Sequence, residues 1–241
     1  MTLPIRERAS PNHGARAAPG GIDILLLHYT GMPSAAAALE RLCDPAAAVS
    51  AHYLIEEDGT IWRLVDEARR AWHAGKASWA GAADINGRSV GIELANPGHE
   101  HGYRPFPEPQ LAALEALGRD IIGRHEIPPA RVLGHSDVAP QRKQDPGELF
   151  PWERMARAGI GFWPDFAANA RPRRGIGAAQ QALARIGYAT PQTGILDAET
   201  RAVLAAFQRH WRPARCDGAL DRETMRRIAC LAAVAALSPS I

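Results

Sequence analysis

Ile22-Asp23-Ile24-Leu25-Leu26-Leu27-His28-Tyr29-Thr30-Gly31 is the stretch on which the fold turns. Ile22–Leu27 is an apolar run broken by one Asp, and a run of this length closed by a turn signal reads as a buried strand. Working outward, Ser34 can cap a helix through the alanine-rich stretch to Leu42. Tyr53–Glu57 and Ile61–Val65 flank Asp58-Gly59, a strong hairpin signal. Arg88–Leu94 alternates as a strand, Pro109–His125 has helical periodicity, and Val132–Gly134 is a short strand ending at His135. Strands and helices interleave, so residues 22–170 are expected to form an α/β layered domain.

On either side the character changes. Residues 1–21, rich in Pro, Gly and Arg, read as an extended N-terminal arm. A boundary is expected near Arg171-Pro172-Arg173-Arg174-Gly175, beyond which the chain is Ala-, Arg- and Leu-rich and helical in period. Gly194-Ile195-Leu196-Asp197-Ala198-Glu199-Thr200 returns as Gly218-Ala219-Leu220-Asp221-Arg222-Glu223-Thr224. In each copy the Asp can cap the helix that follows, and the Glu falls in its first turn, where the helix dipole favours it. With a helix at Ala178–Ile186 ahead of them, the copies make residues 171–241 a small helical bundle. A unit so small should lean on its neighbour.

Bulk composition narrows the function. Twenty-eight basic against 26 acidic residues leave a net charge of +2, which gives no reason to expect a nucleic-acid partner. No apolar run is long enough for a transmembrane segment. Cys43, Cys216 and Cys230 are scattered and odd in number, so they suggest small buried thiols rather than a disulfide framework or cysteine metal site. The N-terminus carries charge and proline where an export signal needs an apolar stretch, and no lipobox-like cysteine follows. A cytoplasmic location is therefore expected, with the periplasm as the alternative. No Gly-x-Ser-x-Gly elbow and no phosphate-cradling glycine loop occurs.

Candidate metal ligands stand at the ends of predicted strands. His28 ends the first, His135 ends Val132–Gly134, and Asp145 follows ten residues later. Two imidazoles and a carboxylate would leave the fourth position of Zn²⁺ open to water, as hydrolytic zinc sites do and structural ones do not. With nine histidines in the chain, spacing alone favours a hydrogen-bonded surface histidine over a ligand at each position.

The local sequences go further. His28-Tyr29-Thr30, Ser50-Ala51-His52-Tyr53-Leu54-Ile55, Ala71-Trp72-His73-Ala74-Gly75, Ser89-Val90-Gly91-Ile92-Glu93-Leu94, Gly134-His135-Ser136-Asp137-Val138-Ala139-Pro140 and Arg142-Lys143-Gln144-Asp145-Pro146-Gly147 occur in one order. In that order they resemble the N-acetylmuramoyl-L-alanine amidases of the amidase-2 type, in the AmpD/AmiD-like branch. The resemblance implies a central mixed β-sheet flanked by helices, the fold of peptidoglycan recognition proteins and phage amidases. It also implies Zn²⁺ held by His28, His135 and Asp145, where some relatives use Cys as the third ligand. The implied reaction is hydrolysis of the amide between N-acetylmuramic or anhydro-muramic acid and L-alanine, in peptidoglycan or its fragments during cell-wall turnover.

The same resemblance makes Glu93 the general base, carrying a proton on to the leaving amine. Alternation puts Ser89, Gly91 and Glu93 on one face of their strand and Val90, Ile92 and Leu94 on the core face. Without the resemblance, Glu93 would read as merely solvated. Lys143 is implied to stabilise the oxyanion. His73 is expected either to touch substrate or to be a structural hydrogen-bonding group, and His52 to pack beneath the sheet. Asn86 and Arg88 are placed to meet the peptide's carboxylates. Residues 171–241 resemble the peptidoglycan-binding module of wall hydrolases through Ala206-Phe207-Gln208, Asp217-Gly218 and Thr224. A monomer is expected. Two other functions fit the same motifs: a recognition protein that binds peptidoglycan without cutting it, and a zinc peptidase acting on the stem peptide.

Overall fold

The computed structural model of the chain describes residues 3–17, 21–166 and 174–237. In chain order it comprises β1 (Ile5–Glu7), β2 (His13–Ala15), β3 (Ile24–Tyr29), α1 (Ala35–Cys43), β4 (Tyr53–Ile55), β5 (Ile61–Arg63) and β6 (Arg69–Ala71). Next come α2 (Ile85–Arg88), β7 (Ser89–Leu94), α3 (Gly98–His101), α4 (Glu108–His125), β8 (Val132–Gly134), α5 (His135–Val138) and α6 (Trp152–Arg157). Three helices finish the described chain: α7 (Ile176–Ile186), α8 (Ala198–Trp211) and α9 (Arg222–Leu237).

The main sheet is ordered β1-β5-β4-β7-β3-β8, and β2 pairs with β6 in a small second sheet. Strand β3 lies parallel to both β7 and β8, and β4 lies parallel to β7. The hairpin at Asp58-Gly59 joins β4 and β5 antiparallel. This is the mixed sheet flanked by helices that the sequence motifs imply.

Strand β3 has no polar face because both of its sides are covered. Leu25 and Leu27 join Val90, Ile92 and Leu94 of β7 beneath Leu111, Leu114, Leu117 and Ile121 of α4. Ile24 and Leu26 point the other way, into one cluster with Leu183 of α7 and Phe207 and Trp211 of α8. The C-terminal helices therefore do lean on the amidase part, sharing with Val138 of α5, Ala74, Trp79 and Ile85 the cluster on the second face of the sheet.

Inside those helices the repeated motif does the same work twice. Asp197 Oδ1 accepts from Thr200 N at 2.8 Å, and Asp221 Oδ1 from Thr224 N at 2.9 Å. Gln180 Oε1 accepts from Gly194 N at 2.8 Å while its amide donates to Thr200 Oγ1 at 2.9 Å. Gln208 binds Gly218 N at 2.7 Å and Thr224 Oγ1 at 3.1 Å in the same way. Gly218 has φ +69°, and a Cβ there would lie 2.7 Å from Arg201 O, so glycine is required.

The N-terminal arm is extended but not free. β1 adds to the sheet edge beside β5, and β2 pairs with β6. Arg16 donates to the backbone oxygens of Glu67 (2.7 Å), Asn86 (3.1 Å), Gly87 (2.8 Å) and Ser89 (2.8 Å). Burial lowers its pKa to about 10. Residues 1, 2 and 18–20 of the arm, and the boundary expected between 170 and 171, lie outside the described residues.

Glu67 ties this corner to α4. Its carboxylate accepts from Arg124 at 2.6 and 2.8 Å, from the Tyr53 hydroxyl at 2.6 Å, and from His125. Burial alone would raise its pKa, but these donors drive it down from 4.5 to about 2. A depressed carboxylate contributes stability that is fully present above its unfolded pKa and lost as pH falls through its folded one. Urea denaturation of wild type and Glu67→Gln should therefore show a stability gap that is constant above pH 4.5 and closes on acidification towards pH 2. A gap that ignores pH across that window would show that the carboxylate's charge is not what holds the corner.

Candidate metal centre

Three neighbouring parallel strands end at one place. In the β3–β7 register His28 stands opposite Glu93, and in the β3–β8 register Leu27 stands opposite Gly134, the residue before His135. The carboxyl ends of parallel strands are where an open α/β sheet leaves a crevice. Asp145 returns to this end by a loop whose carbonyl accepts from Ser136 N at 2.9 Å.

His28 Nδ1 and His135 Nδ1 lie 2.9 Å apart, and Asp145 Oδ2 is 3.0 Å from each. All three residues are buried, at 1%, 3% and 6% exposure. Burial lowers the pKa of His28 to about 4, so its imidazole is neutral. Burial would raise the Asp145 carboxyl, but His135 and His28 hold it well below the carboxylate range. Two imidazole nitrogens and a carboxylate oxygen aimed at one point in a low dielectric suit a cation.

The far nitrogens of both rings are already engaged. His135 Nε2 donates to Ala74 O at 3.0 Å. His28 Nε2 meets His73 Nδ1 at 3.0 Å, His73 Nε2 meets Ser89 Oγ at 3.2 Å, and Ser89 Oγ donates to Ile85 O at 2.6 Å. Ile85 O can only accept, so the chain has one self-consistent direction: Ser89 accepts from His73 Nε2–H, and His73 Nδ1 accepts from His28 Nε2–H. That leaves the Nδ1 lone pairs of His28 and His135 facing the centre. Outer partners that fix the tautomer in this way are the usual support of metal-binding histidines. Three N/N/O donors with one side open fit zinc in a hydrolytic site.

The open side faces a groove of ≈ 580 Å³ whose walls include Tyr29, Trp72, Glu93, His99, Arg142 and Lys143. Glu93 reaches it from the face of β7 that alternation predicts. Its Oε2 is sealed from solvent and has no hydrogen-bond partner among the described residues. Burial first, then Asp145, push its pKa well above the ordinary value, against the pull of Lys143. Lys143 lines the same groove, beside Asp145. Glu93, His135, Lys143 and Asp145 thus line one groove, and His28 lies buried against His135 and Asp145.

Some expectations change. Asn86 does not face a peptide: its Oδ1 accepts from His73 N (3.0 Å) and Ala74 N (2.8 Å), fixing the loop that carries His73. Arg88 pairs with Asp23 at the opposite end of β3. His52 is buried as expected and accepts from Gly91 N at 2.9 Å. His73, which sequence left between two roles, is the hydrogen-bonding partner of His28. Asp137 and Ser89 lie within the matched motifs, and their roles come from the structure. The Gly134-x-x-Asp137 spacing of a capping turn was the signal available for Asp137, whose Oδ2 accepts from Gly134 N at 2.8 Å.

Comparison with known proteins bears on both parts of the chain. Residues 18–148, which include His28, Glu93, His135, Lys143 and Asp145, match the N-acetylmuramoyl-L-alanine amidase family model. Residues 173–228 match a peptidoglycan binding domain model. The N-acetylmuramoyl-L-alanine amidase AmiD of Escherichia coli K12 is 40% identical over 230 residues, 87% of this chain and 82% of the relative. The 1,6-anhydro-N-acetylmuramyl-L-alanine amidase AmpD of Haemophilus influenzae is 34% identical over 62% of this chain and 89% of its own. The structure of E. coli AmiD with anhydro-N-acetylmuramic acid-L-Ala-D-gamma-Glu-L-Lys superposes with a TM-score of 0.78, at 39% identity, covering 90% and 91% of the two chains. AmpDh3 of Pseudomonas aeruginosa in complex with anhydromuramic pentapeptide gives 0.77 at 35% identity, covering 92% and 94%.

Gly91 tests the packing behind His28. A Cβ there would sit 2.5 Å from His73 Nδ1. Gly91→Ala should cost about 1–3 kcal/mol in urea denaturation, the usual penalty of overpacking. Adding His73→Ala should recover part of that loss, because it vacates the contested space. A neutral Gly91→Ala would show that the ring is not held there.

Proposed function

The chain belongs to the N-acetylmuramoyl-L-alanine amidase family, and from that premise we propose how its residues cut the muramyl–alanine amide and what metal they use. We assign Zn²⁺ to His28, His135 and Asp145. The observation that carries this is the convergence of three buried donors within 3.0 Å of one another, with both far ring nitrogens occupied. Bound there, zinc would supply Lewis acidity and lower the pKa of a water it holds to about 7.

Glu93 then works as the proton carrier. It takes a proton from the attacking water as the water's oxygen bonds to the lactyl carbonyl carbon. It returns that proton to the alanine nitrogen as the C–N bond breaks, leaving a lactyl carboxylic acid and an amine, which end as carboxylate and ammonium once the acid's proton passes to the amine. A groove-lining carboxylate that is not a ligand and has one oxygen without a hydrogen-bond partner is suited to this work. The Lys143 ammonium favours the oxyanion of the tetrahedral intermediate, a contribution of about 3 kcal/mol by analogy with other oxyanion donors.

The substrate reading follows the relatives: muropeptides with an anhydro-muramyl end, which the AmiD and AmpDh3 complexes contain. We divide the chain into the arm (1–21), the amidase domain (22–170) and a peptidoglycan-binding helical domain (171–241), a division that the two matched family models support. One chain supplies all three donors and Glu93, which supports a monomer. A cytoplasmic location, with the periplasm as the alternative, is to be tested by fractionation.

Mass spectrometry of a digested anhydro-muropeptide should show the sugar released with a lactyl carboxylate and the stem peptide with a free N-terminal alanine. Cleavage inside the stem would favour a peptidase, and binding without cleavage a recognition protein. Glu93→Gln should retain zinc by elemental analysis yet lose at least ~100-fold in kcat. Near-normal turnover in that variant would remove Glu93 from the mechanism.

A further inference from the structure

Asp137 sits two residues after His135, in α5, and is 1% exposed. Its carboxylate is held from three directions. Oδ2 accepts from Gly134 N at 2.8 Å and from His210 Nδ1 at 2.7 Å, and Oδ1 accepts from the Tyr188 hydroxyl at 2.6 Å. Gly134 belongs to the amidase sheet. Tyr188, which follows α7, and His210 of α8 belong to the C-terminal helices.

Both side chains are themselves immobilised. The His210 ring stacks between Trp152 of α6, with centroids 3.7 Å apart, and Trp211, at 3.9 Å. Tyr188 is 2% exposed and packs edge-on against Trp79 at 4.9 Å. A carboxylate this deep needs every one of its donors, since an unmatched buried charge is costly.

The turn so gripped carries the centre. It presents His135, its Ser136 N binds Asp145 O at 2.9 Å, and its Val138 O accepts from Ser78 N at 2.9 Å. Two of the three donors therefore take their position from a turn whose only side-chain carboxylate is clamped from the C-terminal helices.

We propose that the C-terminal helices act on catalysis directly: Tyr188 and His210 are positioning residues that hold Asp137, and through it His135 and Asp145, in ligand geometry. This role is separate from any grip on the cell wall, and it rests on the assignment of the three donors as a zinc site.

The test uses the full chain and a small soluble anhydro-muropeptide, so that wall binding does not enter. Tyr188→Phe removes one oxygen, His210→Ala removes the ring, and His210→Asn keeps a donor near the Nδ1 position. Zinc affinity is read by chelator competition, the coordination sphere by the visible spectrum of the Co²⁺ form, and kcat and KM separately.

Tyr188→Phe and His210→Ala should bind Zn²⁺ about tenfold more weakly, as loss of an outer support does. They should also shift the Co²⁺ spectrum and lower kcat with little change in KM. His210→Asn should recover most of the affinity. A lower Tm with unchanged zinc affinity, Co²⁺ spectrum and kcat would assign the clamp to folding alone and overturn the proposal. If His210→Ala does not fold, Tyr188→Phe and His210→Asn decide the matter. A wild-type chain that takes up no Zn²⁺ removes the metal assignment and this proposal together, whereas normal uptake with unaffected variants removes only this proposal.

Discussion

Three lone-pair donors of the same polarity, buried within 3.0 Å of one another, are the constraint around which this molecule is arranged. Left to themselves, two neutral imidazoles and a carboxylate would turn apart or trap a proton. They stay aimed at one point because each is held from behind. His28 is backed by His73, Ser89 and Ile85, His135 by Ala74, and Asp145 by Ser136. The cost of that order is met by burial elsewhere, in a sheet whose central strand is covered on both faces.

Small residues matter as much as charged ones here. Gly91 gives His73 its place, and Ser89 on the same face accepts from it, so one face of β7 is given over to support and, at Glu93, to chemistry. The opposite face, Val90, Ile92 and Leu94, is plain core. One strand thus separates packing from reactivity by alternation alone.

The C-terminal helices complete the amidase as well as following it. Leu183, Phe207 and Trp211 share a hydrophobic cluster with Ile24 and Leu26 of the central strand. Tyr188 and His210 reach the turn that carries His135. A helical unit that would be marginal alone gains a shared core by this arrangement. The residues that match a peptidoglycan binding domain and those of the amidase sheet then share one hydrophobic cluster.

By itself the sequence determined the main elements of the amidase part, β3, α1, β4, β5, β7, α4 and β8, because apolar runs, the Asp58-Gly59 turn and the Ser34 cap are local signals with local physics, as are the Asp197 and Asp221 caps beyond them. It also marked His28, Glu93, His135, Lys143 and Asp145, because their flanking motifs are long and occur in one order. Only the tertiary structure decided that His73 backs His28, that Asn86 and Arg88 are structural, that the arm docks through Arg16, and that Asp137 is clamped from the C-terminal helices. Each of these is a contact between groups far apart in the chain. A histidine or aspartate carries no local mark of which distant donor will meet it, since strand register and helix docking set that distance and residue spacing does not.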